Sequence, residues 1–167
     1  MSNNVLLHSF QFSALVLVQV LILNHINFLG YINPYAYVLF ILLFPTTSNR
    51  LIFLLLSFAI GLSIDVFSDS GGVHAAASVT IAFIRPALLK FCFGSVNDHH
   101  TIKFNNTDFG ARLSYFTMLI LLHHILLFAL EIFNLNNIIL ILQKALFSGI
   151  FTIILCLIIH ILFSRKS

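Results

Sequence analysis

The sequence brings an acid and a base together at one place, the stretch IDVFSDSGGVH that runs from Ile64 to His74. A carboxylate and an imidazole perturb each other only at close range. Asp65 and His74 sit on either side of the Ser68–Gly72 turn, and they are expected to approach within about 10 Å of each other at an outer surface. A solvated, interfacial Asp65 is the other reading. Arg85 is a poorer partner, because it lies roughly 18 Å along a helix from Val73 at about 1.5 Å per residue. Asp69 is at most one helical turn from Asp65, but two carboxylates do acid–base work only beside a reacting group. No base or nucleophile accompanies them.

The remaining titratable residues offer less. Adjacent helical residues point about 100° apart, so neither His99-His100 nor His123-His124 makes a chelating face. The first pair falls in a polar loop. The second is expected to face other helices and hydrogen-bond there. Cys92 and Cys156 lack metal-ligand spacing and read as apolar fillers. H-E-x-x-H, G-x-S-x-G and a phosphate-binding glycine loop are all missing. No catalytic residue, metal site or cofactor is therefore expected. Lys144 can snorkel outward along its own stem or pair with Glu131.

The elements that carry these residues follow from composition. Of 167 residues, 60% are hydrophobic and 8% charged, too few charges to coat a soluble core. Lipid removes that requirement, and one polytopic domain over 1–167 is expected. The basic residues are scattered, which argues against nucleic acid. The N-terminal ten residues contain no Lys or Arg, and no small-residue cleavage site follows, so the first helix is expected to remain as an anchor.

Six apolar segments divide the chain: Val5 to Leu29, Tyr35 to Pro45, Leu51 to Val66, Val73 to Leu89, Leu113 to Phe133 and Ile138 to Phe163. A spanning helix needs about 20 apolar residues, so the second segment is short. Asn33-Pro34 disfavours helix before it, and Pro45 helps to end it. Pro86 should kink or end the fourth. Tyr31, Tyr35 and Tyr37 resemble an interfacial belt. If all six segments cross with the N-terminus inside, Arg50, Lys90, Lys103, Arg112, Arg165 and Lys166 fall inside. Asp65, Asp69 and Glu131 fall outside, and only Lys144 is out of place.

Ser57, Gly61 and Asp65 share one helix face at four-residue spacing. Ser57-x-x-x-Gly61 is a small-x-x-x-small pattern. Ala75, Ser78 and Ala82 form a similar stripe on the next segment. A tight helical hairpin is expected, with either simple packing or another protein's helix on these faces.

Two stretches carry a family resemblance: INPYAYVLFILLFP (32–45) and GLSIDVFSDSGGVHAAASVTIAFIRP (61–86). Together with the chain's size and its short basic tail, they resemble the MreD family of bacterial rod-shape-determining membrane proteins, in the style of Bacteroidetes members. Gly61, Asp65 and Gly71-Gly72 look like the family's Gly-Leu-x-x-Asp helix end and glycine turn, and Arg85-Pro86 also looks family-like. The resemblance implies an all-α, six-helix bundle similar to the S-component of energy-coupling-factor transporters. It implies a non-enzymatic scaffold in the inner membrane, with both termini cytoplasmic. It implies an MreC-like partner and, through it, MreB, RodA and the elongation penicillin-binding protein. Asn33, Pro34, Tyr35, Ser57, Gly61, Asp65, Asp69, His74, Ser78 and Arg85 are the candidate partner-binding residues. The sequence leaves the oligomeric state open.

The alternative is a transporter subunit that captures a small solute, with Asp65, Asp69, His74 and Asn33 lining its pocket. Such a subunit would show Ala-x-x-x-Ala grooves at the inner face. Here Ala75-Ala76-Ala77 lies near the outer end instead.

The six-segment topology has a direct test. Cysteines at Ser95 and Asn134 are expected to react with an impermeant thiol reagent from opposite sides of the membrane, and labelling from the same side would overturn the topology.

Overall fold

The computed structural model describes residues 2–28, 30, 32–94, 102 and 104–164. Tyr31, His99, His100, Lys103, Arg165 and Lys166 lie outside them. The regular structure among the described residues is all helical, apart from one isolated bridge between Phe28 and Ile32. The α-helices are α1 (Ser2–Leu21), α2 (Val38–Leu43), α3 (Arg50–Ser68), α4 (Val73–Phe93), α5 (Phe109–Ile132) and α6 (Ile138–Ser164). Five of them, all but α2, are long and apolar enough to cross a bilayer. Short 3-10 turns at Leu23–His25, Phe104–Asn106 and Leu135–Asn137 punctuate the connections.

The first two segments depart from expectation. α1 stops at Leu21 rather than near Leu29. Past it, Asn27 adopts φ 40° and Gly30 φ 83°, left-handed values that no helix continues through. α2 is only six residues long, about 9 Å of helix. The expected start at Tyr35 moves to Val38, while Pro34 keeps only Asn33, the residue before it, out of helix. The main-chain N–H groups of Asn33 and Tyr35 bond instead to Ser148 Oγ (3.4 Å) and Thr152 Oγ1 (3.0 Å). At the other end Phe44, just before Pro45, turns extended at ψ 139°, as a pre-proline residue should.

The other helices follow the apolar pattern closely. Asn49 caps α3 through its side chain (2.8 Å to the Leu51 N–H), and Asp108 caps α5 (3.1 Å to the Ala111 N–H). The α5 cap starts that helix four residues before Leu113. α4 runs straight through Pro86 to Phe93. A proline in a lipid-embedded helix is tolerated when neighbouring helices hold it, and α4 packs against both α3 and α5.

Contacts at the two ends fix the chain's direction. His8 and Phe53 both meet Phe44, with ring centroids 5.4 and 5.1 Å apart. At the opposite end Asn24 donates to Ser68 Oγ (2.9 Å). α1 and α3 therefore run the same way, and residues 26–49 must return between them. That return passes through the centre of the bundle: Ala36, Tyr37, Val38, Ile41 and Leu42 are fully buried. α3, α4, α5 and α6 then alternate in direction as successive packed neighbours. Arg50, Lys90 and Arg112 collect at one end, hereafter the basic end. Asp65, Asp69 and Glu131 collect at the other, the acidic end.

The α3–α4 hairpin is the tightest joint. A Cβ added to Gly61 would lie 2.6 Å from Ala75 Cα and 2.6 Å from the His74 carbonyl oxygen. Those are backbone atoms and cannot swing aside. Gly61→Ala is expected to destabilise the protein by about 1–3 kcal/mol, despite the roughly 1 kcal/mol that alanine gains over glycine in an ordinary helix. Reversible unfolding in mixed micelles measures this, and an equal or higher stability would contradict the close approach.

Candidate functional site

A polar network runs along the inside of the bundle from the acidic end towards the basic end, and Asp65 begins it. Its Oδ1 accepts from Ser70 Oγ (2.6 Å) and from the His74 main-chain N–H (3.0 Å), and its Oδ2 accepts from the Ala75 N–H (2.8 Å). The carboxylate is only 4% exposed. It caps the first turn of α4 from the end of α3, where a helix presents unpaired N–H groups and positive partial charge. Asp65 and His74 do meet, but through the backbone, and the interfacial, solvated Asp65 is not what forms. The turn between them needs left-handed residues, supplied by Asp69 (φ 51°), Gly71 (φ 68°) and Gly72 (φ 95°).

The His74 ring faces the other way. Its Nδ1 lies 2.9 Å from the Tyr37 hydroxyl, and the same hydroxyl lies 2.8 Å from His123 Nε2. A phenol has one proton. Tyr37 therefore donates to one imidazole and accepts an N–H from the other. Ser78, fully buried, is the next polar group along this side of α4. Tyr35 packs its ring against those of His74 and His124, with centroids 5.4 and 5.3 Å apart.

His124 extends the network to α6. Its Nδ1 lies 2.8 Å from the Ile120 carbonyl, which can only accept, so this nitrogen carries a proton. Its Nε2 lies 3.0 Å from Thr152 Oγ1, and that hydroxyl is also 2.8 Å from the Ser148 carbonyl. The single Thr152 proton thus has two acceptors in reach, and the protonation of His124 decides which one receives it.

Arg85 forms a separate polar cluster nearer the basic end. It is 3% exposed and faces no carboxylate among the described residues. Nε donates to the Tyr115 hydroxyl (2.9 Å), and Nη2 donates to the carbonyls of Leu42 (3.1 Å) and Phe44 (2.5 Å). Tyr115 also donates to Leu42 (3.1 Å), and the guanidinium sits 5.0 Å from the centroid of the Phe53 ring. These carbonyls end α2 and have no helical partner. Arg85 supplies the missing donors.

Most of the candidate partner-binding residues are therefore committed inside the chain. Ser57 bonds to the Phe53 carbonyl (2.8 Å) beneath α4. Pro34 accepts from Gln19 (3.0 Å). Ser57, Gly61, Asp65, His74, Ser78, Arg85, Pro34 and Tyr35 are all buried. The chain's own helices occupy the faces on which another protein's helix was one option. Asn33 is half-buried and accepts from the Asn27 N–H (2.7 Å). Asp69 is exposed at the turn. Lys144 pairs with Glu131 (3.1 Å) and lies 5.4 Å from the centroid of the Phe128 ring, which selects pairing over snorkelling.

Sequence reasoning missed Tyr37, Tyr115, Gln19, Ser148 and Thr152. The signal for the last three was available: a lone polar residue in an apolar helix must face a partner in lipid. Tyr37 was read instead as part of an interfacial belt, which a tyrosine near a segment end also suits, and Tyr115 was passed over. No cluster of three or more His, Cys, Asp or Glu side chains suited to a metal occurs among the described residues.

Tyr37→Phe tests the network. It strands His74 Nδ1 and His123 Nε2 in a dry interior, where an unsatisfied polar group costs about 1–3 kcal/mol. A loss of about that size is expected in micelle unfolding, and an unchanged midpoint would show that the hydroxyl is dispensable. Comparisons with protein-family models, with curated proteins and with solved structures find no match for this chain.

Proposed function

We propose that this chain is a non-enzymatic membrane scaffold of the bacterial cell-elongation machinery, of the MreD type, that binds an MreC-like partner. In this reading the return segment counts as a sixth, broken crossing beside the five long helices, in an arrangement similar to the transporter S-component. The basic end faces the cytoplasm with both termini, as the positive-inside rule directs. The protein sits in the inner membrane and reaches MreB, RodA and the elongation penicillin-binding protein through its partner.

The observation that carries the reading is the use to which Gly61 and Asp65 are put. The stretch that resembles the family is spent on a rigid joint: Gly61 permits contact with Ala75, and Asp65 fastens the start of α4. Such a joint suits a framework that holds a surface in place. The partner then docks on lipid-facing side chains, such as Leu55, Phe58 and Leu62 of α3, or on the exposed Asp69 turn.

The solute-binding reading rests on a different observation, the convergence of Tyr35, His74, His123 and His124 towards the acidic end. Against it, Asp65 spends its oxygens inside the hairpin and His74 its Nδ1 on Tyr37, not towards a shared opening.

In-cell photocrosslinking from positions 33, 55, 58, 62 and 69 separates the two. Capture of an MreC-like or RodA-like protein is expected, together with rounding of rod-shaped cells on depletion. Capture of an ATPase-driven transporter module, with unchanged cell shape, would favour solute transport and overturn the scaffold.

A further inference from the structure

The basic end holds a groove that the polar network does not use. It lies between α1 and α6 and encloses about 340 Å³. Leu39, Phe40, Leu43 and Phe44 of the α2 segment form its floor, and Ala14, Leu15 and Ile159 line it deeper in. His8, Gln11, Asn105 and His160 supply its polar atoms. His160 is 7% exposed, yet its Nε2 is buried without a hydrogen-bond partner. A polar nitrogen in that position asks for a group the chain itself does not supply.

Size and charge select the occupant. A single hydrocarbon chain fits. From His8 to Leu15 the groove reaches roughly 10 Å inward at 1.5 Å per residue, the direction an acyl chain takes from its headgroup. Among the described residues, no carboxylate lines it. Arg112, whose Nε is also buried and unpartnered, lies in the first turn of α5 at the same end. The mouth therefore suits an anionic headgroup at the same end as Arg50 and Lys90.

We propose that this groove binds one acyl chain of an anionic phospholipid from the leaflet at the basic end, with its phosphate held by His160 and His8. The lipid closes the gap between α1 and α6 and satisfies His160 Nε2. The site is separate from the hairpin surfaces assigned to a protein partner.

The test uses the full chain, purified in a neutral detergent, with phosphatidylglycerol and phosphatidylcholine of identical chains as probes. Native mass spectrometry is expected to retain one phosphatidylglycerol per protein, about tenfold more than phosphatidylcholine. Ala14→Phe fills the groove and His160→Leu removes the headgroup contact. Each should lower that retention about tenfold without changing the thermal midpoint. Gln11→Leu, at an exposed position, serves if either variant fails to fold. Equal retention of the two lipids, or undiminished phosphatidylglycerol binding in folded variants, would overturn the proposal. So would a lipid-free dimer that Ala14→Phe dissociates, because a second copy would then cover the groove.

Discussion

Backbone that leaves a helix inside hydrocarbon must find each of its hydrogen bonds within the protein, and the buried stretch from Pro34 to Phe44 lives under that constraint. Several groups at its two ends are matched by side chains from four other helices. Gln19 of α1 donates to the Pro34 carbonyl, Ser148 and Thr152 of α6 accept from Asn33 and Tyr35, and Arg85 of α4 with Tyr115 of α5 covers the carbonyls of Leu42 and Phe44. The isolated polar residues of the long helices thus have a common purpose. They replace the ladder that a continuous second helix would have made for itself.

The two buried charges obey the same rule. Asp65 and Arg85 stand near opposite ends of α4 and do not pair with each other. Each is balanced by main-chain groups at a helix terminus, N–H groups for the acid and carbonyls for the base. An intramembrane ion is costly unless its partners are fixed, and helix ends are among the most fixed partners a bundle offers. Asp65 joins α3 to α4, and Arg85 joins α4 to α2 and α5. Removing either leaves an uncompensated charge as well as a loosened joint.

Much of this architecture was legible in the sequence. Five apolar runs, the Ser68–Gly72 turn and the separation of basic from acidic residues could all be read directly, because each depends on local composition. The Ser57, Gly61 and Asp65 face was legible as a close-packing surface for the same reason. What was not legible depends on distance in the chain. Nothing near Asp65 says that its oxygens reach the main chain of residues 74 and 75 rather than an imidazole. Nothing near Pro34 says that Thr152 will accept the next N–H. Hydropathy reports how apolar Tyr35–Pro45 is, and it is silent on whether lipid or protein surrounds the segment.

The return segment also sets the order in which the protein can be completed. Tyr35 is made 117 residues before Thr152, the residue that accepts its N–H. An apolar helix of about 20 residues is content in lipid alone, since its backbone is satisfied internally. Residues 34–44 have no such independence. During synthesis they cannot settle in the hydrocarbon until α4, α5 and finally α6 arrive with Arg85, Tyr115, Ser148 and Thr152. A segment that comes second in sequence is thus the last to have its hydrogen bonds completed in space.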